Sequence, residues 1–62
     1  MFENAITVLS RQTQKVVFVA DSDDGHMINV QFIKGDKLKR TALIIKPDLQ
    51  QWIDIYKRKG YV

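Results

Sequence analysis

The end of the chain carries the pattern that most limits what it can fold into. Leu49, Trp52, Ile53 and Tyr56 fall at i, i+3, i+4 and i+7, which is one face of an α-helix. Pro47 suits the first helical position, where a missing N–H costs nothing, and Asp48 complements the helix dipole. Lys57, Arg58 and Lys59 favour the negative end of that dipole, and Gly60 is a natural residue just past the C-cap. Everything that reads clearly before this helix favours strands. A lone helix covers one face of a sheet, so the other face must be accounted for separately.

Three strands are legible. Lys15-Val16-Val17-Phe18-Val19-Ala20 is β-branched and aromatic, and it ends at the turn signal Asp21-Ser22-Asp23-Asp24-Gly25. From His26 to Ile33 the chain alternates, with Ile28, Val30 and Phe32 on one side and Asn29 and Gln31 on the other. Gly35-Asp36 has the Gly-X form of a type II′ hairpin, and Leu38 to Ile45 makes the next strand. Residues 2–14 read two ways: Phe2, Ala5, Ile6 and Leu9 keep helical spacing, while Ile6-Thr7-Val8 is β-branched and favours a strand. The strand is preferred. The chain is then a single α+β domain over residues 1–62, an antiparallel sheet of three to four strands covered on one face by a C-terminal helix. The order is ββββα, with αβββα as the alternative.

Turn geometry predicts the register. A two-residue loop at Gly35-Asp36 pairs Phe32 with Lys39, Gln31 with Arg40, Val30 with Thr41 and Ile28 with Leu43. Pairing Ala20 with Met27 sets Val19 opposite Ile28 and Val17 opposite Val30. The face under the helix is then Val17, Val19, Ile28, Val30, Phe32, Leu43 and Ile45. The other face holds Val16, Phe18, Ala20, Met27, Asn29, Gln31, Arg40, Ala42 and Ile44, and it has to meet solvent, a second subunit or a ligand. A slip of one residue exchanges the two sets.

Size and composition narrow the function classes. A chain of 62 residues buries only about 60% of its unfolded surface, and it has no cysteine to reinforce it. Self-association is the remaining reinforcement, so a homodimer is expected. With no cysteine and the single histidine His26, neither a thiolate site nor a zinc site is expected, and the chain implies no cofactor. The acidic turn misses the EF-hand pattern, because its glycine is fifth and Phe32 stands twelfth where glutamate is needed. His26 has no nucleophile beside it in sequence, and the three glycines are isolated, so no enzyme is expected. Met1-Phe2-Glu3-Asn4 lacks the positive region of a signal peptide, and no apolar run nears the ~20 residues that span a bilayer. A soluble, cytoplasmic protein with no membrane partner is the expectation.

Charge points to the partner. Residues 1–33 hold Arg11 and Lys15 against four acids, whereas residues 34–62 hold eight basic residues against three acids. A field that uneven on a small body favours an anionic partner such as nucleic acid. The candidate binding residues are Lys34, Lys37, Lys39 and Arg40 around the hairpin, with Gln31 and Phe18 on the open sheet face. There the lysines follow the phosphates and Phe18 stacks on an unpaired base, so single strands are favoured over duplex. The second reading is a protein-binding module, such as a phage- or plasmid-type inhibitor of a host protein. Its anchors would be Phe18, Met27 and Ile44, with the lysines on an acidic protein surface. The two readings part on whether the open face is basic and wet or apolar and dry.

Arg40-Thr41-Ala42-Leu43-Ile44-Ile45 running into Lys46-Pro47-Asp48-Leu49-Gln50-Gln51-Trp52 resembles the end of the positive-cofactor-four-like transcriptional coactivators. In that family a last strand of basic then apolar residues enters a Pro-acidic-Gln-Trp helix start. The resemblance implies a ββββα subunit, dimerisation through the helix, and single-stranded DNA running over curved sheets. The chain departs from the family's pattern in having Thr41 near the place of the usual glycine, and in the longer spacing from Pro47 to Trp52.

Overall fold

A computed structural model describes residues 5–22 and 24–62. Four strands, β1 (Ala5–Arg11), β2 (Gln14–Ala20), β3 (Met27–Lys34) and β4 (Lys37–Ile45), form one antiparallel sheet in the order β1-β2-β3-β4. A 3₁₀ turn (Lys46–Asp48) leads into helix α1 (Leu49–Arg58). The arrangement is ββββα. The β-branched run at Ile6-Thr7-Val8 lies in a strand, so helical spacing at the start loses to β preference; Phe2 and Asp23 lie outside the described residues.

The helix is built as its sequence predicts. Leu49, Trp52, Ile53 and Tyr56 all pack against the core. Its end is a Schellman cap: Gly60, at φ 97°, donates its N–H to the Lys57 carbonyl at 3.1 Å, and Tyr61 donates to the Tyr56 carbonyl at 3.1 Å. The cap throws Tyr61 back under the helix, where its ring meets Tyr56 edge-on at 5.3 Å and its hydroxyl donates to Gln14 Oε1 at 2.7 Å. Val62 and Ser10 then exchange backbone hydrogen bonds of 2.7 and 2.8 Å, which pairs part of the outer edge of β1. The outer edge of β4 carries Lys37, Lys39, Arg40 and a bulge, features that discourage strand addition over that half.

The predicted register is corrected in two places. At the hairpin tip Lys34 pairs with Lys37 and Ile33 with Leu38, as a two-residue loop requires, and Gly35 takes φ 64°. Lys39 then bulges out, so Phe32 pairs with Arg40, Val30 with Ala42 and Ile28 with Ile44. Across the acidic loop Ala20 pairs with Ile28, not Met27, so Phe18 faces Val30 and Val16 faces Phe32. The inward set of β3 is as predicted, but β2 and β4 present the opposite parity. Phe18, Val16 and Ile44 go under the helix with Leu9, Ile28 and Val30, while Val17, Val19, Leu43 and Ile45 go to the open face. The exchange buries the largest side chain of β2, which favours this register over its alternative. Val17 is also fully buried, flanked by its cross-strand partners Val8 and Gln31.

The turn between β1 and β2 holds one conformational cost. Gln12 sits at φ 56°, in the left-handed region that a residue with a Cβ adopts at a cost of about 1–2 kcal/mol. Gln12→Gly relieves that cost but adds unfolded-chain entropy, so a net gain of about 0.5–1 kcal/mol is expected. Thermal unfolding checks it, and an unchanged or lower Tm counts against the turn geometry.

Candidate nucleic-acid interface

An antiparallel meander puts its first and third turns at one end and its middle loop at the other. The 12–13 and 35–36 turns are joined by a hydrogen bond from the Gly35 N–H to the Thr13 carbonyl at 2.8 Å. Helix α1 starts at the opposite end and returns, so its C-terminus joins them; a Cβ on Gly60 would stand 3.6 Å from Arg11 Nε. The two basic clusters, separate in sequence, therefore gather at one end of the molecule with Arg11 and Lys15. The exposed carboxylates Asp21 and Asp24 lie at the other end. There Asp24 Oδ1 accepts from the Ser22 hydroxyl at 2.6 Å and the His26 N–H at 2.9 Å, and these bonds hold its pKa below the ordinary aspartate value.

At the basic end an open cleft of about 250 Å³ is lined by Gln14, Lys15, Val16, Phe32, Ile33, Lys34, Lys39, Arg40, Tyr56 and Tyr61. Its aromatic side is continuous, with Phe32 and Tyr56 centroids 5.9 Å apart and Tyr56 and Tyr61 5.3 Å apart. Trp52 extends the group, at 6.5 Å from Phe32 and 6.4 Å from Tyr56. Two cations rest on these rings: Arg40 Cζ is 4.3 Å from the Phe32 centroid and Lys59 Nζ 5.1 Å from that of Tyr56. A guanidinium over a ring can still offer its N–H fork to a phosphate or carboxylate at the rim. Lys34 and Lys37 are direct cross-strand partners, a like-charge pair that an anion between them would relieve.

Of the predicted site residues, Lys34, Lys39 and Arg40 line this cleft, and Lys37 stands exposed beside them at the tip. Gln31 does not join them. It is half-buried on the open face, paired with Val17 and Thr41. Phe18 is a correction: it is 0% exposed in the core, because the β2 register turns it under the helix, and it has no face to offer a base. Ile44, an anchor of the protein-binding reading, is buried with it, whereas Met27 stays on the open face. Sequence reasoning missed the aromatic side of the cleft. Phe32 and Tyr56 read as core alone, and Tyr61 has no sequence signal beyond its place after the Gly60 cap.

Among the described residues no group of three or more His, Cys, Asp or Glu side chains is placed to hold a metal ion. No helix there is long and apolar enough to cross a membrane. Compared with known proteins, the chain matches no family model, no curated protein and no solved structure.

Proposed function

We propose that the protein is a small non-enzymatic nucleic-acid-binding regulator that takes a single strand at its basic end. The observation that carries this reading is the shared cleft: Phe32, Tyr56 and Tyr61 line the same opening as Lys34, Lys39 and Arg40. Single-strand binders combine these two parts, cations that follow the backbone and rings on which bases stack at about 1–3 kcal/mol each. At about 250 Å³ the cleft falls below the ~300–1,000 Å³ usual for a small-molecule pocket, and it is open, which suits one element of a longer ligand. The resemblance to the positive-cofactor-four-like coactivators supports the same ligand on a different surface, since here the rings and cations meet on the helix side of the sheet rather than across its open face.

Fluorescence anisotropy with labelled oligonucleotides tests the reading. Single strands are expected to bind more tightly than duplex of the same sequence, because a paired base has no free face for Phe32 or Tyr56. Affinity is expected to fall with salt at a log–log slope of about −2 if Lys34, Lys39 and Arg40 each meet one phosphate. Absent binding, binding without salt dependence, or equal affinity for the two forms would sink the nucleic-acid reading.

A further inference from the structure

Away from the helix the sheet presents a second surface, whose character differs from that of the cleft. Leu38 is 56% exposed, Leu43 57% and Ile45 42%, all along β4 on the open face, and Val8 adds to them from β1. Between them lie half-buried Met27, Asn29, Gln31 and Ile33. Among the described strand residues pointing this way, Lys15 is the one charged group, and it stands at the basic end. A face that is apolar in the middle and nearly free of charge suits neither open water nor a phosphate backbone.

We propose that this face seats a second copy of the chain, the two sheets stacked about a two-fold axis lying across the strands. The size fits: the molecule measures 32 × 24 Å in its two longer directions, and a standard interface takes ~800 Å² from each partner. The charge distribution selects the axis. A two-fold along the strands would lay one basic end on the other. A two-fold across the strands turns the copy end for end, so Asp21 and Asp24 of each chain meet the basic turns of its mate, with Asp21 near the partner's Lys15. Leu43 and Ile45 are then covered in both copies, and the clefts stay free on the outer, helix-bearing sides at opposite ends of the pair. The proposal does not rest on what the clefts bind, and Lys15 is the one cation that borders both surfaces.

Sedimentation equilibrium from sub-micromolar to millimolar protein, with circular dichroism to confirm folding, provides the test. Wild type is expected to be a dimer at micromolar concentration. Leu43→Glu alters a side chain already exposed in the single chain, so it is expected to keep the fold and raise the dimer dissociation constant at least about a hundredfold, since each dimer gains two buried charges. Asp21→Lys is expected to weaken association about tenfold, and Lys15→Asp combined with Asp21→Lys to restore it to within about threefold. A folded wild type that stays monomeric at millimolar concentration overturns the proposal, whatever else covers the face. So does a dimer that survives Leu43→Glu, or a double variant no better than Asp21→Lys alone.

Discussion

Phe18→Ala is expected to abolish the cooperative thermal transition. Phe18 is 0% exposed, in one cluster with Leu9, Val16, Ile28, Val30, Ile44 and Tyr61. Truncating a fully buried phenylalanine costs about 3–5 kcal/mol, made up of lost burial and the cavity left behind. A core of this size rarely supplies more than about 3–5 kcal/mol in total, so little or nothing remains. Differential scanning calorimetry or near-ultraviolet circular dichroism reads the outcome. The contrast is sharp, because a Phe18 on the open face would leave Tm nearly unchanged on truncation. A variant that melts cooperatively within a few degrees of wild type would show that β2 faces the other way.

The second large effect is on binding. Lys34→Glu, Lys39→Glu and Arg40→Glu together are expected to lower single-strand affinity by on the order of 10²–10³-fold at low salt and to flatten the salt slope by about 2, because three phosphate contacts are lost and three repulsions gained. The same reversal at Lys57, Arg58 and Lys59 is expected to cost about tenfold. Of those three, Lys59 is the one whose ammonium rests on a cleft ring, while the others complement the helix dipole. Anisotropy titrations at two salt concentrations measure both, with a melting curve for each variant to show that it is folded. Equal losses from the two triplets would move the binding surface from the cleft to the whole basic end.

The sequence and the structure agree where a local geometry selects the residue types that fit it. Gly35 in its two-residue turn, Gly60 at the helix cap and the apolar stripe of α1 are of that kind. The inward set of β3 is legible because Asn29 and Gln31 mark its other side. Neither neighbour carries such a mark. Val16-Val17-Phe18-Val19 and Ala42-Leu43-Ile44-Ile45 are apolar on both sides, so their parity depends on loop length and on a bulge at Lys39 that no glycine announces. One displaced residue in each strand moved Phe18 from the candidate site into the core and left Leu43 and Ile45 outside it. The basic residues of the site needed no register, because a hairpin tip is exposed in either parity, and Lys34, Lys37, Lys39 and Arg40 stand in the open as read. Its rings were illegible for the converse reason, since Tyr56 serves core and cleft with the same side chain.

The strand order also has a bearing on how the chain reaches this shape. In a β1-β2-β3-β4 meander every strand pairing joins neighbours in sequence, so each hairpin closes over a short turn and zips without waiting for a distant partner. The hydrogen bond from Tyr61 to Gln14 is different, spanning 47 residues. Each doubling of a loop adds about 0.6 kcal/mol of closure entropy, so from an open chain that contact costs roughly 2–3 kcal/mol more than a turn. Once the hairpins have formed and α1 has folded back from the end of β4, the helix itself carries Tyr61 to the first strand, and the long closure has become a local one. Tyr61 and Val62 are thus expected to fasten onto β1 after the rest is in place.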